Sequence, residues 1–381
     1  MRRAVDWLSI DKMQEQRRAI RKLFITGIIA GAIWLMGLSP QLVEKVYALG
    51  IYPPISAGLR TVSSLVPFSL GDCLYILLVA VAVWQIARFG VRLYRGEITK
   101  QHHWLIPIRL GALVLSLYIL FKVLWGLNYS RPTITRQLGV ENKRYSPQEL
   151  VKLAEFLIRK VNHLQQERAQ RKQPIKRDLH YLRTEAVASY QQLASKQPFF
   201  RYQHPAVKPV LNSWIITKIG LEGYYNPLSG EANVNTRLPS TDLPFVTAHE
   251  IAHQLGVARE DEANLVGYLV TTQSADLHFQ YSGYYGILRN VLFEVRLIAP
   301  DHYQALYKQI NPGTIADYKN ATAFWQGYNS EMFGYMSATL DGFLKLNNQN
   351  KGIDSYQDIV LWVYNLHRKE LGAINAKTLQ R

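Results

Sequence analysis

Residues 247–267 read TAHEIAHQLGVAREDEANLVG, and the organisation of the chain follows from how this run is folded. On a helix, His249 and His253 lie four residues apart and project from one face, with Glu250 beside them in reach of a water held between the imidazoles. That is the H-E-x-x-H spacing of a zinc site, so Zn²⁺ is the expected cofactor, His249 and His253 its ligands and Glu250 the catalytic base.

The flanking residues agree with this reading. Leu243-Pro244 puts a proline in the first turn of a helix, with Thr241 or Asp242 free to cap it. Gly256 offers a left-handed stop three residues after His253. Beyond it, Glu260, Asp261 and Glu262 open a second helix, which Leu265, Val266, Leu269 and Val270 continue with helical spacing.

A catalytic zinc takes three protein ligands and keeps one position open, and a carboxylate can be the third. Glu260 and Glu262 are both candidates. Glu260 shares a face with Ala263, Asn264 and Gly267, small residues that let the second helix lie close to the first, and it is preferred. Glu262 shares its face with Leu265, Val266 and Leu269, so a buried Glu262 needs a partner such as the metal. Asn264 is placed to hydrogen-bond a metal-bound histidine from behind.

The segment resembles the zincin metallopeptidases of the gluzincin kind, in which HExxH is followed by a glutamate in an ExxA(D/N) setting, here Glu260, Ala263 and Asn264. The spacer from His253 to Glu260 is shorter than in the best-known gluzincins. More closely, GYYNPLSGEANVN and HEIAHQLGVAREDEAN are similar to an uncharacterised family of bacterial membrane proteins with a predicted zinc peptidase domain. The resemblance covers most of the chain and implies a zincin-like peptidase domain in a bacterial envelope.

The apolar content is front-loaded. A first span is expected at 23–43, after a basic lead containing Arg17, Arg18, Arg21 and Lys22; a second at 73–91, running into Arg88, Arg92 and Arg95; and a third at 105–127, with Arg109 and Lys122 reaching opposite interfaces. The connection 44–72, with Tyr52-Pro53-Pro54 and Val66-Pro67, reads as broken in structure. By the positive-inside rule, 1–22 and 88–104 face the cytoplasm, which carries everything after 127 to the other side of the plasma membrane. The expected division is therefore a three-helix anchor at 1–127 and an extracytoplasmic domain at 128–381.

The net charge of +16 belongs largely to this topology, and with no recognisable motif it points to no nucleic-acid partner. The basic run Arg168, Arg171, Lys172, Lys176 and Arg177 reads as a solvated helix end. Cys73 is the single cysteine, which excludes an internal disulfide and a cysteine-cluster metal site.

Within the C-terminal part, Ser146-Pro147-Gln148-Glu149 matches a capping box that opens a helix over 147–167, followed by another over 178–195. Short strands and turns are expected between 206 and 237. There Glu231, Ala232, Asn233 and Val234 are placed to pair with an extended substrate or, equally, to pack beneath the zinc helix. Helices are expected over 284–297, 302–309, 314–329, 331–346 and 356–371. Tyr224, Tyr225, Tyr284, Tyr285, Tyr356 and His367 are nominal candidates for an oxyanion-steadying residue.

The fold class expected is mainly α: three N-terminal transmembrane helices, then a mostly helical zincin-like domain with a small β element before the zinc helix. The function expected is a membrane-anchored zinc peptidase, its partners a peptide or protein substrate and the lipid bilayer. The alternative is a non-catalytic envelope protein that keeps zinc and binds a peptide or protein.

Overall fold

The computed structural model describes residues 2–98, 100–171, 176–328, 331–347, 349 and 358–378, and of these 2–12, 100–103, 331–333 and 374–378 by backbone alone. The chain divides into two compact units, one made of Met1–Tyr52 with Gly71–Arg131, the other of Pro53–Leu70 with Pro132–Arg381. The chain begins with α1 (Arg2–Gly37), α2 (Pro40–Leu42), a π-helical stretch (Val43–Ile51), α3 (Tyr52–Ser64), α4 (Leu70–Tyr94), α5 (Lys100–Leu124) and a 3₁₀ turn (Gly126–Ser130).

In the first unit three helices are long and apolar enough to cross a membrane: Met13–Gly37, Leu70–Tyr94 and Trp104–Leu124. The first ends at Gly37 rather than 43, because the Ser39 side chain accepts from the Leu42 N–H at 3.4 Å and Pro40 starts a new helix. The third stops at Leu124, where the chain tightens into the 3₁₀ turn. Helices α1 and α5 pack together. Small residues allow it: Ala30 and Ala112 are buried, and a Cβ on Gly111 would lie 3.3 Å from Leu23 Cδ1. Outward, Ile76, Val79 and Ile86 are 62%, 63% and 70% exposed, the apolar surface expected of a helix facing lipid. Arg109 donates to Glu15 instead of standing alone.

The second unit continues with α6 (Ile134–Gln137), α7 (Pro147–Arg171), α8 (Leu179–Ala194), β1 (Val207–Pro209), α9 (Ser213–Lys218), β2 (Gly223–Asn226), β3 (Glu231–Val234), α10 (Leu243–Gln254) and α11 (Glu260–Thr272). It ends with α12 (Leu277–Ile298), α13 (Pro300–Tyr307), α14 (Pro312–Tyr328), α15 (Glu331–Leu346) and α16 (Ile359–Thr378). The capping box opens α7: the Ser146 N–H donates to Glu149 Oε2 at 2.8 Å, and the Glu149 N–H to Ser146 Oγ at 3.2 Å. Trp214, Ile215 and Ile216, aromatic and β-branched residues that read as strand, instead form α9, because the Asn212 side chain accepts from the Ile215 N–H and caps a short helix.

Two hydrophobic cores meet at α11. Leu265 and Tyr268 join the core of α7, α12 and α16, while Ala263, Val266 and Val270 join that of α8, α10 and the sheet. A helix buried on both sides is fixed in rotation as well as position, and the carboxylates of its first turn are fixed with it.

The segment Pro53–Leu70 belongs to this second unit, although the sequence places it inside the anchor. Of the prolines that suggested broken structure, Pro53 and Pro54 lie in α3, whereas Val66-Pro67 falls in the break between α3 and α4. Pro53 and Pro54 follow the π-helical stretch, whose last bond runs from the Tyr52 N–H to the Tyr47 carbonyl, and this wider turn gives a proline ring room that an α-turn denies it. From α3, Ser56 Oγ and Arg60 Nη1 donate to the Gln254 carbonyl, at 3.0 and 3.5 Å. A hydroxyl and a guanidinium thus satisfy a terminal carbonyl of α10, where the helix dipole favours a cation.

Candidate metal centre

Helix α10 is almost wholly buried, so its polar side chains must find partners in the protein. His249 Nε2 and His253 Nε2 lie 3.1 Å apart, and Glu260 Oε2 lies 3.2 Å from the first and 3.7 Å from the second. These three residues form the group among the described residues that can hold a metal ion.

The histidines are oriented from behind. His253 Nδ1 lies 2.6 Å from the Val257 carbonyl, which can only accept, so Nδ1 carries the hydrogen. Gly256, at φ 85°, turns the chain so that this carbonyl reaches back, with the Val257 N–H bonding the Ala252 carbonyl at 3.2 Å. His249 Nδ1 lies 2.8 Å from Asn264 Oδ1, the contact anticipated for Asn264.

With Nδ1 turned to these acceptors, both Nε2 atoms face each other and a carboxylate, an arrangement that a cation between them, a proton or a metal ion, stabilises. Ligands at 2.0–2.1 Å around a tetrahedral zinc stand about 3.3 Å apart, which the observed separations of 3.1, 3.2 and 3.7 Å bracket. The donor set fits a divalent metal. The same convergence acts on protons: burial lowers the His253 imidazole, but Glu260 outweighs it and brings it up to about 9. Burial raises the Glu260 carboxyl, and the two histidines more than reverse this, holding it well below the usual carboxylate range.

Glu262 is not a member of this group, which corrects its candidacy as a ligand. Its Oε1 accepts from the Ile134 N–H at 3.0 Å, at the first residue of α6. Asp261, between the two glutamates, accepts from Trp362 Nε1 at 3.1 Å. Consecutive residues on a helix point about 100° apart, and three consecutive carboxylates serve three different partners.

Glu250 is 4% exposed, and its Oε2 has no hydrogen-bond partner among the described residues. Burial pushes its carboxyl up to about 7, with His249 and His253 opposing. Its neighbour is Gly223 on β2, where a Cβ would lie 2.7 Å from Glu250 Oε1 and 2.8 Å from the Asn233 carbonyl oxygen. The sequence marks Gly223 only as a turn glycine.

The expectation that Glu231, Ala232, Asn233 and Val234 pair with substrate is corrected. They form β3, the central strand of a sheet ordered β1-β3-β2, parallel to β1 and antiparallel to β2, so both of its edges are taken. Ala232 and Val234 join the core that includes α10. Glu231 and Asn233 point to the opposite face by the two-residue alternation. Glu231, fully buried, accepts from the Leu70 N–H at 3.0 Å and from Ser229 Oγ at 2.8 Å.

Of the oxyanion candidates, Tyr285 is buried between the rings of Tyr281 and Tyr318, Tyr284 packs edge-on against Tyr268, and His367 bonds the Tyr268 hydroxyl at 2.8 Å. Each has a structural partner. Tyr224 and Tyr225 stand on β2, the strand that touches Glu250, and Tyr356 lies outside the described residues. In the basic run, Arg168 lies over the Tyr281 ring, Arg171 pairs with Glu167 and Arg177 donates to the Leu238 carbonyl. Lys176 lies over the Tyr181 ring, and Lys172 is outside the described residues.

Fold and site together define a membrane-associated, mainly helical protein with a buried His-His-Glu centre. The chain belongs to the family described as "Protein of unknown function (DUF3810)", whose model matches residues 47–364. No curated protein and no solved structure matches the chain.

Proposed function

We propose that the chain is a membrane-anchored zinc metallopeptidase. The observation that carries this reading is the convergence of His249, His253 and Glu260 beside a buried carboxylate, Glu250, whose Oε2 has no hydrogen-bond partner among the described residues. A structural metal site needs its ligands but has no use for such a neighbour. Zinc bound there supplies Lewis-acid polarisation of a carbonyl and acidifies a water. Glu250 takes the proton of the attacking water and passes it to the leaving amine. Asn264 and the Val257 carbonyl hold the imidazoles in the tautomer that leaves Nε2 free to bind. An extended peptide adds alongside β2, an outer strand of the sheet and the one in contact with Glu250.

The distribution of arginine and lysine supports a cytoplasmic N-terminus and loop 88–104, with the peptidase unit on the other side of the bacterial plasma membrane. The charged ends of α10 and α11 weigh against cleavage within the bilayer.

The test uses the full chain purified in detergent. About one zinc per chain and hydrolysis of a mixed peptide panel are expected for the wild type. Glu250→Gln should keep the metal and lose at least about a thousandfold in rate, the scale of removing a catalytic base together with its proton transfers. His253→Ala should lose both. Zinc retained by the wild type with no hydrolysis across the panel would favour the non-catalytic alternative.

A further inference from the structure

The segment Pro53–Leu70 of the second unit is built inside out. The side chains it turns into the protein are polar: Ser56, Arg60, Ser63 and Ser69 are all buried. Those it turns outward are apolar, with Val62 57% and Leu65 79% exposed and Phe68 exposed as well. A segment lying against water shows the opposite arrangement. The polar side is held by protein groups, since Ser56 and Arg60 donate to the Gln254 carbonyl and Ser69 Oγ donates to Glu231 Oε2 at 3.4 Å.

A second segment repeats the inversion. In α9, Thr217 is buried and its hydroxyl accepts from Asn235 Nδ2 at 2.9 Å, while Trp214 is 53% exposed and Ile215 and the preceding Leu211 are exposed too. Lys218 lies over the Trp214 ring, and an indole beside a long cationic stem suits the level at which apolar surface meets lipid headgroups. Exposed apolar residues elsewhere in the unit differ. Phe293 and Leu297 on α12 are exposed, but that helix buries Val291, Leu292 and Val295 and so keeps an ordinary apolar inner face.

What covers the outward side follows from the chain itself. Leu70 ends the first segment and opens α4, which is long and apolar enough to cross a membrane. Phe68 and Leu65 stand two and five residues before it, and the Leu70 N–H is bonded to Glu231 of the second unit. Lys208 Nζ donates to the Val66 carbonyl. This ties the segment to β1, which leads through Leu211 into α9.

We infer that Val62, Leu65 and Phe68, with Leu211, Trp214 and Ile215, form a bilayer-contacting face of the second unit, their side chains entering the boundary between headgroups and acyl chains. Lipid is the occupant because the face is continuous with a helix that itself requires lipid. Glu231, bonded to Ser69 and Leu70, alternates with Ala232 and Val234, which pack toward α10. The end of the segment therefore covers the sheet face opposite α10, and the sheet stands between the lipid and the metal-binding helix. The inference needs only the membrane helices and holds with or without catalysis at the metal centre.

The face is tested on the full chain in nanodiscs of phosphatidylethanolamine and phosphatidylglycerol, with Cys73→Ala removing the single cysteine. Leu65→Cys, Trp214→Cys and Ile215→Cys are each labelled with an environment-sensitive fluorophore, and Asp301→Cys, exposed at the start of α13, is the aqueous reference. All four positions are exposed, and two on α9 guard against one variant folding poorly. Lipids carrying a nitroxide near the headgroup end of an acyl chain should lower emission at 65, 214 and 215 by about twofold or more, as for side chains held roughly 5–10 Å into the boundary, and leave 301 unchanged. Quenching absent at 65, or at both α9 positions, overturns the inference, as does quenching at 301 as strong as at the others. Fluorophores on α9 that escape the lipid nitroxide yet are shielded from aqueous iodide would show that a second copy or another protein covers this face instead.

Discussion

In the first turn of α11, Glu260 and Glu262 project from different faces, and they are put to opposite uses. Glu260 meets two imidazole nitrogens that need a cation between them, and Glu262 accepts from the Ile134 backbone N–H at the start of α6. Glu231 on β3 belongs with the second kind, bound to the Leu70 N–H. A carboxylate that stays ionised when buried requires a positive partner or a hydrogen-bond donor. Whether the partner is a cation site or a backbone dipole decides whether its loss is felt in ligand binding or in stability.

The largest expected effect separates the two faces directly. Glu260→Ala should weaken zinc binding by more than the roughly 10- to 100-fold typical of losing an outer partner, measured by competition with a chromophoric chelator. Glu262→Gln should leave zinc affinity unchanged; comparable weakening in both variants would break the distinction. Next is Asn264→Ala, expected to weaken zinc by about 10- to 100-fold with little loss of fold, as for other groups that orient a metal-bound histidine. Glu262→Gln should instead destabilise the second unit by about 1–2 kcal/mol, the range for a buried donor deprived of a charged acceptor, read as a lower Tm with metal content intact.

The smallest effect comes from a buried group served by a neutral carbonyl. His278, whose Nε2 lies 2.8 Å from the Ser240 carbonyl, is lowered from 6.5 to about 4 by burial, with Arg168 adding to it. The unfolded chain binds this proton first as the pH drops, so stability is full above about 6.5 and is lost as the pH falls toward 4. At pH 5.5 the loss is about 1 kcal/mol, taking 1.36 kcal/mol per unit. His278→Gln should flatten the fall in Tm between pH 7 and 5.5, and an unchanged slope would assign that acid sensitivity elsewhere.

Much of this site was legible in the sequence because its determinants are local. Four-residue spacing, a capping proline, Gly256 as a stop and small residues at 263 and 267 fix two helices and the faces they share. The third ligand was legible only as a preference between two residues, since rotation of α11 about its axis is set by packing on both sides. The membrane helices were legible from hydropathy, their ends less so, because Ser39-Pro40 starts a new helix before the apolar run is over. Strand order was out of reach. Nothing local tells that β1, distant in sequence, covers one edge of β3 and turns it from a substrate edge into a central strand.

The union of Pro53–Leu70 with the second unit has a consequence for the order in which the protein is made. The Ser56 bond to the Gln254 carbonyl spans 198 residues, and the Leu70 bond to Glu231 spans 161. The ribosome therefore releases α3 well before its partners exist, and the whole stretch Gly71–Arg131 is synthesised in between. Contacts of such sequence separation slow the final assembly. The late step here is the seating of an early helix beneath a late one. A fragment starting at residue 128 omits that helix, and its folding yield should rise when residues 53–70 are supplied as a separate peptide.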